Sequence, residues 1–201
     1  MTGNYPQNLY AKTEWARYYA EYAQAVEVML EKPNAKQQPL LTLPLLHSMR
    51  HVLQMTFKTH LLLLKNMLGE TQATMPPAVS NHTLQSLHQE YSQQLRLVLR
   101  SKPIKAATRD TCIQNDQCLT GFYASFEWLD SNAWGFLYPV QLDGITKSFH
   151  QTAVINFSDL VPVYNFTLTV LKDTTARLLD RTNWNSGVVR KADFQKVRRA
   201  I

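Results

Sequence analysis

The sequence predicts an all-α protein: an up-and-down bundle of about five helices, with a short extended or β-hairpin insertion near residues 134–146. Two observations favour this fold. Apolar residues recur at three-to-four spacing, the period of a helix buried on one side. Glycine is sparse, with six among 201 residues, which disfavours glycine-punctuated β architectures. We expect one helical domain over residues 1–185 and a basic tail over residues 186–201.

The segment from Leu43 to Leu68 is the longest apolar stretch and predicts the central helix of the bundle. Its apolar residues cover most of the helix circumference, which is typical of a helix surrounded by others. Polar residues form one strip on this helix: Arg50, Gln54, Lys58 and Lys65, with His47 and His51 beside them. Because burying unpaired charges is costly, we expect this strip to face a groove, a partner chain or a paired polar network.

Four further helices are predicted from capping residues and apolar spacing. They cover Thr13 to Glu31, Asn81 or Thr83 to Ser101, Thr108 to Leu129, and Asn156 or Ser158 to Leu179. The first is expected to bury Trp15, Tyr18, Tyr22, Ala25, Val26 and Met29. The second is expected to bury Leu84, Leu87, Tyr91, Leu95, Val98 and Leu99, and the fourth Leu160, Val163, Tyr164, Leu168, Leu171 and Leu178. The third of these is expected to bury Ile113, Leu119, Phe122, Phe126 and Leu129. The aromatic segment from Trp134 and the turn at Asp143-Gly144 predict the insertion.

The charge distribution favours an acidic partner. The net charge is +6 and the isoelectric point is near 9.3, which suits nucleic acid or an acidic protein, although ordinary surface bias gives the same balance. Five basic residues near the end predict a phosphate-binding tail: Arg190, Lys191, Lys196, Arg198 and Arg199. Only two cysteines, no signal-like apolar core and no bilayer-length run are seen, so we expect a cytoplasmic protein without membrane contact.

Motifs for catalysis and metal binding are weak. The sequence has no phosphate-binding glycine loop, no Cys-x-x-Cys and no nucleophile elbow. His47 and His51 have the spacing of zinc ligands on a helix, but no Asp, Glu or Cys lies in the same helix. We therefore predict no metal and no cofactor. Candidate catalytic residues are limited to Arg50, His51 and His82.

The central helix resembles a known motif. The stretch from Arg50-His51 through Gln54 to Lys58, preceded by Pro44, is similar to the Arg-His-x-x-Glu-x-x-Leu-Lys helix of HEPN-like proteins, which are nucleotide-binding helical domains. Three other stretches follow in the family's order: Asn81-His82 to Leu87, Asp130-Ser131 with Phe136-Leu137-Tyr138-Pro139, and Phe157 to Leu160. Gln54 replaces the family's acid and Leu137 its arginine. No arginine is followed by histidine at the nuclease spacing of the group.

The resemblance implies a non-catalytic binding protein acting through a polar groove or a dimer interface. Its partner would be RNA, a nucleotide or a protein, and it would act alone or as a homodimer in phage defence, a toxin–antitoxin pair or a mobile element. The expected contact residues are Arg50, His51, Gln54, Lys58, His82 and Tyr138.

Two alternatives remain at this point. One is a metal-independent ribonuclease toxin in which Arg50 stabilises phosphoryl charge and His51 or His82 moves protons. The other is a structural role, in which Arg50, His51, Lys58 and His82 form a satisfied polar network inside the bundle.

Overall fold

A computed structural model describes residues 14–31, 39–69, 83–129 and 157–185, which form five α-helices and one 3-10 turn. The helices are α1 (Glu14–Glu31), α2 (Pro39–Leu68), α3 (Leu84–Ser101), α4 (Ala106–Leu129) and α5 (Phe157–Leu179), and the turn is Arg181–Asn183. The prediction of an all-α bundle is confirmed. The predicted insertion near residues 134–146 and the basic tail lie outside the described residues.

Helix α2 lies at the centre, in contact with α1, α3 and α5, while α4 packs against α3 and α5. All six residues of its predicted core face are buried: Leu46, Met49, Leu53, Phe57, Leu61 and Leu64. Val52 and Met55, on other sides of the helix, are buried as well. The prediction of a helix packed on most of its circumference is therefore confirmed. None of the described helices combines the length and apolarity needed to cross a membrane.

The start of α2 differs from the prediction. The helix begins at Pro39 rather than near Leu43, so Pro44 lies inside it rather than in its first turn. Proline suits the first helical position because its fixed φ is helical and its missing N–H would be unpaired there anyway. Pro44, the sixth residue, removes only one intrahelical hydrogen bond, and the apolar packing of the turns that follow accommodates that loss.

Local chemistry explains two helix ends that the sequence predicts correctly. Thr83 caps α3: its backbone is extended, with ψ 139°, and its hydroxyl accepts a hydrogen bond from the Ser86 N–H at 3.2 Å. Gly69 ends α2 with φ +88°, a left-handed conformation that glycine adopts without a Cβ penalty. Its N–H donates to the Asn66 carbonyl at 3.0 Å.

The predicted buried side of α4 is wrong at Ile113 and correct at Leu119, and the side chains of Phe122, Phe126 and Leu129 lie outside the described residues. Ile113 is 39% exposed, whereas Cys112 and Leu119 are buried. Two polar residues, Thr108 and Asp116, share that buried side. Because the interior face carries polar residues at two of its turns, apolar spacing alone did not identify Ile113 as exposed.

In α1 the predicted side is wrong at two positions, whereas Tyr22 and Met29 pack partly against the core on the predicted side; the side chain of Trp15 lies outside the described residues. Tyr18 is 45% exposed and Ala25 is exposed, contrary to the prediction, while Val26 is buried as predicted. Tyr19 and Ala23 pack partly against the core instead. Aromatic residues occur on both sides of α1, so their spacing does not identify the side that meets α2.

A short clasp joins the α3–α4 connection to the end of α5. Ile104 and Trp184 form an antiparallel β-bridge. The Lys105 N–H donates to the Asn183 carbonyl at 2.8 Å, and the Asn185 N–H donates to the Pro103 carbonyl at 2.7 Å. These bonds hold α3, α4 and α5 in register at one end of the bundle.

Candidate functional site

The polar strip of α2 lies mostly in the interior. Arg50 is 3% exposed, and Gln54 and Lys58 are each 4% exposed. None of these three side chains lacks an interaction partner. Burial lowers the pKa of Lys58, because the charged ammonium loses water. At the end of the strip, Lys65 pairs with Glu90 of α3 at 3.4 Å. This burial agrees with the alternative in which these residues form a polar network inside the bundle.

The two histidines beside the strip are half-buried. The rings of His47 and His51 stack at 5.9 Å, and the Tyr22 ring of α1 lies 4.4 Å from that of His51. Burial, together with the nearby His47 and Lys58, lowers the pKa of His51 to about 4. His51 is therefore neutral at pH 7, where it is able to accept a proton but carries none to donate as a general acid.

The remaining predicted contact residues are not among those that the structure describes. His82, Tyr138 and the basic residues of the tail lie outside the described residues. Of the three candidate catalytic residues, the structure therefore describes Arg50 and His51. They are consecutive on α2, and Arg50 is buried.

An open polar groove lies between α3 and α4, with a volume of about 720 Å³. Helix α3 lines it with three glutamines and two arginines at three-to-four spacing: Gln85, Gln89, Gln93, Arg96 and Arg100. Helix α4 contributes Asp116, Gln117 and Thr120. The α3 residues lie opposite the apolar side of this amphipathic helix, which the sequence predicts correctly and which buries Leu84, Leu87, Tyr91, Leu95, Val98 and Leu99.

Three buried polar side chains form the floor of the groove. His88 Nε2 lies 3.2 Å from Asp116 Oδ1, and the Ser92 hydroxyl donates to the same carboxylate oxygen. The exposed fractions of His88, Ser92 and Asp116 are 5%, 9% and 6%. Arg96 adds a longer ion pair, with its Nη2 3.9 Å from Asp116 Oδ2. These contacts tie α3 to α4 across the groove.

The floor is not a catalytic triad, although it contains serine, histidine and aspartate. In a triad, histidine uses one ring nitrogen for the serine and the other for the carboxylate. Here His88 Nε2 faces both partners, 3.3 Å from Ser92 Oγ and 3.2 Å from Asp116 Oδ1. The serine hydroxyl donates to the carboxylate and not to the imidazole. The imidazole therefore does not stand between the serine and the carboxylate, as it does in a triad.

The charges of the groove favour an anionic ligand. Asp116 is the one carboxylate among the described residues that line it, and this group is buried against His88, Ser92 and Arg96. Arg96 is 66% exposed in its side chain, and Arg100 is exposed. The surface that a ligand meets therefore carries two guanidinium groups among neutral amides. Guanidinium groups bind phosphate and carboxylate in bidentate geometry.

Sequence reasoning missed this groove. The signal in α3 was the run of glutamine and arginine at helical spacing on its polar side. The contribution of α4 had no such signal, because Asp116 and Gln117 join the groove only when α4 packs against α3.

Metal and thiol chemistry have little support in the described part of the chain. No group of three or more His, Cys, Asp or Glu side chains is arranged there to hold a metal ion. Both cysteines are free; Cys118 is exposed, and burial raises the pKa of Cys112 to about 11. Comparison of the chain with protein-family models, with curated proteins and with solved structures gives no match.

Proposed function

We propose that the protein is a non-catalytic, HEPN-like binding protein that holds RNA in the groove between α3 and α4. The observation that carries this proposal is the composition of the groove. Arg96 and Arg100 are exposed among amide side chains, and the carboxylate of Asp116 below them already contacts His88, Ser92 and Arg96. In complexes with nucleic acids, arginines contact phosphates and amide side chains read base edges. The net charge of +6 would speed association through long-range attraction.

The geometry supports binding over catalysis. An Arg–His ribonuclease needs a proton acceptor and a proton donor beside a cation that reaches the phosphate. Arg50 is buried, and His51 is neutral at pH 7. No observation on the described residues specifically favours the toxin alternative.

The basic tail would add to the affinity for RNA. Its arginines and lysines would add phosphate contacts that do not depend on sequence, as basic arms do in other nucleic-acid-binding proteins. A role in defence, a toxin–antitoxin pair or a mobile element rests on the resemblance of α2 to the HEPN-like motif.

The test compares two double variants that remove the same amount of charge. Arg96→Gln with Arg100→Gln alters the groove, and Arg17→Gln with Arg109→Gln alters exposed arginines outside it. We expect the full-length groove variant to bind a mixed-sequence single-stranded RNA of about 12 nucleotides at least about tenfold more weakly than the wild type. Its plot of log affinity against log salt should be shallower by about 1.4, since two phosphate contacts are lost.

The control double variant should stay close to the wild type in both measurements. Equal loss in the two variants would show that RNA responds to overall charge and not to the groove. Failure of the wild-type protein to bind RNA at low salt would overturn the proposal.

A further inference from the structure

We infer that the groove selects adenine-rich, single-stranded RNA; this inference rests on the proposed function. The starting observation is the set of amides that face the ligand. Gln89 and Gln93 lie one turn apart on α3, and Gln117 faces them from α4. All three are exposed, and none makes a side-chain hydrogen bond to another residue in the described ranges. Their donors and acceptors are thus available to a ligand.

The chemistry of a glutamine amide matches one base edge. Its oxygen accepts and its nitrogen donates, which suits the N6 amino group and the N7 acceptor of adenine in a bidentate pair. On the same edge, guanine offers two acceptors and suits arginine, while the cytosine amino group suits a carboxylate. Among the groove residues that the structure describes, the one carboxylate is Asp116, which is buried and hydrogen-bonded to His88 and Ser92.

The arginines are better placed for phosphates than for guanine. Arg96 and Arg100 are one turn apart at the C-terminal end of the glutamine row, and both side chains are exposed. A strand lying along α3 would place its backbone on these two residues and its bases on Gln89 and Gln93. Leu97, 43% exposed in the groove wall, offers an apolar surface against which the wider purine ring buries more area.

The spacing of the glutamines requires unstacked bases. Residues four apart on a helix are separated by about 6 Å along its axis. Successive stacked nucleotides of one duplex strand are only about 3.4 Å apart. Gln89 and Gln93 therefore reach neighbouring bases only when these are splayed apart, as in the single-stranded segments that proteins read by sequence.

The experiment measures binding of the full-length protein to three homopolymers of about 12 nucleotides: oligo(A), oligo(U) and oligo(C). We expect oligo(A) to bind at least about tenfold more tightly than either pyrimidine strand, as one bidentate base contact provides. Gln89→Glu combined with Gln93→Glu should reverse the order of oligo(A) and oligo(C), because a carboxylate accepts from the cytosine amino group and cannot donate to N7.

The matched control is Gln24→Glu combined with Gln114→Glu, which adds the same charge at exposed glutamines outside the groove. This control variant should bind all three strands more weakly by the same factor and should keep the preference for oligo(A). Equal wild-type affinity for the three strands, or a preference for a pyrimidine strand, overturns the inference and leaves the proposed function standing. Absence of binding to any strand at low salt overturns the proposed function and the inference with it.

Discussion

At the scale of single residues, His60 shows how strongly the interior acts on a titratable group. It is 3% exposed, and its Nδ1 lies 2.8 Å from the Thr56 carbonyl oxygen. Burial lowers the pKa of His60 to about 4, because the imidazolium ion loses its hydration. The folded protein therefore holds His60 neutral at pH values where an unfolded chain would protonate it.

We predict that this burial makes the protein less stable in mild acid. Since the pKa is lower in the folded state than in the unfolded state, the unfolded chain takes up the proton first as pH falls. The free energy of unfolding should be unaffected by this group above about pH 6.5 and should decline by about 3 kcal/mol by pH 4. His51 contributes with the same sign.

The check is urea denaturation of the wild type and of His60→Leu between pH 4 and pH 7. The variant should lose stability less steeply with falling pH, by up to one proton. Its residual slope reports the remaining groups, His51 among them. The same slope in both proteins would show that His60 does not titrate in this window.

At the scale of secondary-structure elements, the two described glycines contrast in backbone conformation. Gly69 follows α2 with φ +88°, whereas Gly121 lies inside α4. An added Cβ would meet no atom within 4 Å at either position. A substitution at each site therefore reports the backbone alone, without a packing contribution.

We expect alanine at these two positions to have opposite effects. Gly69→Ala should lower the free energy of unfolding by about 1–2 kcal/mol, because alanine is strained in the left-handed region. Gly121→Ala should raise it by up to about 1 kcal/mol, because alanine is the better helix former. Thermal or urea unfolding of both variants measures the difference. A stabilising Gly69→Ala would contradict the assigned end of α2.

At the scale of the whole molecule, α2 joins the core to the floor of the groove. Phe57 is fully buried and meets two aromatic rings of α3 edge-on: Tyr91 at 5.8 Å and His88 at 6.0 Å between ring centroids. His88 in turn bonds Asp116 of α4. The core packing of α2 thus orients the side chain that links α3 and α4 beneath the groove.

Removal of Phe57 should therefore affect the entire bundle. Phe57→Ala should lower the free energy of unfolding by about 3–5 kcal/mol, through lost burial and the cavity that remains. That is a large part of the roughly 5–15 kcal/mol that stabilises a typical domain. Ile113→Ala, at a site 39% exposed, should change it by less than about 0.5 kcal/mol.

Urea denaturation of the two variants decides this prediction. Similar losses at Phe57 and Ile113 would contradict the central position of α2 and the outward orientation of Ile113. The free energy of unfolding of the wild-type protein is the reference for both variants.

The sequence by itself determined the helices and the buried sides of α2, α3 and α5. In α2 and α3, a row of apolar residues at three-to-four spacing faces the core, so its period identifies the buried side even though polar residues are buried beside it. Caps such as Thr83 and Gly69 are decided by bonds within a few residues and are visible in the sequence for that reason. The HEPN-like resemblance and the RNA-binding function stay predictions.

Only the tertiary structure decided where the polar residues lie. Arg50 and Lys58 are buried, and Asp116 contacts His88 and Ser92 of α3. The tertiary structure also decided that Cys112 of α4 is buried and that Ile113 is exposed. Periodicity describes one helix at a time, whereas a groove depends on which helices meet and on how their faces are rotated against each other.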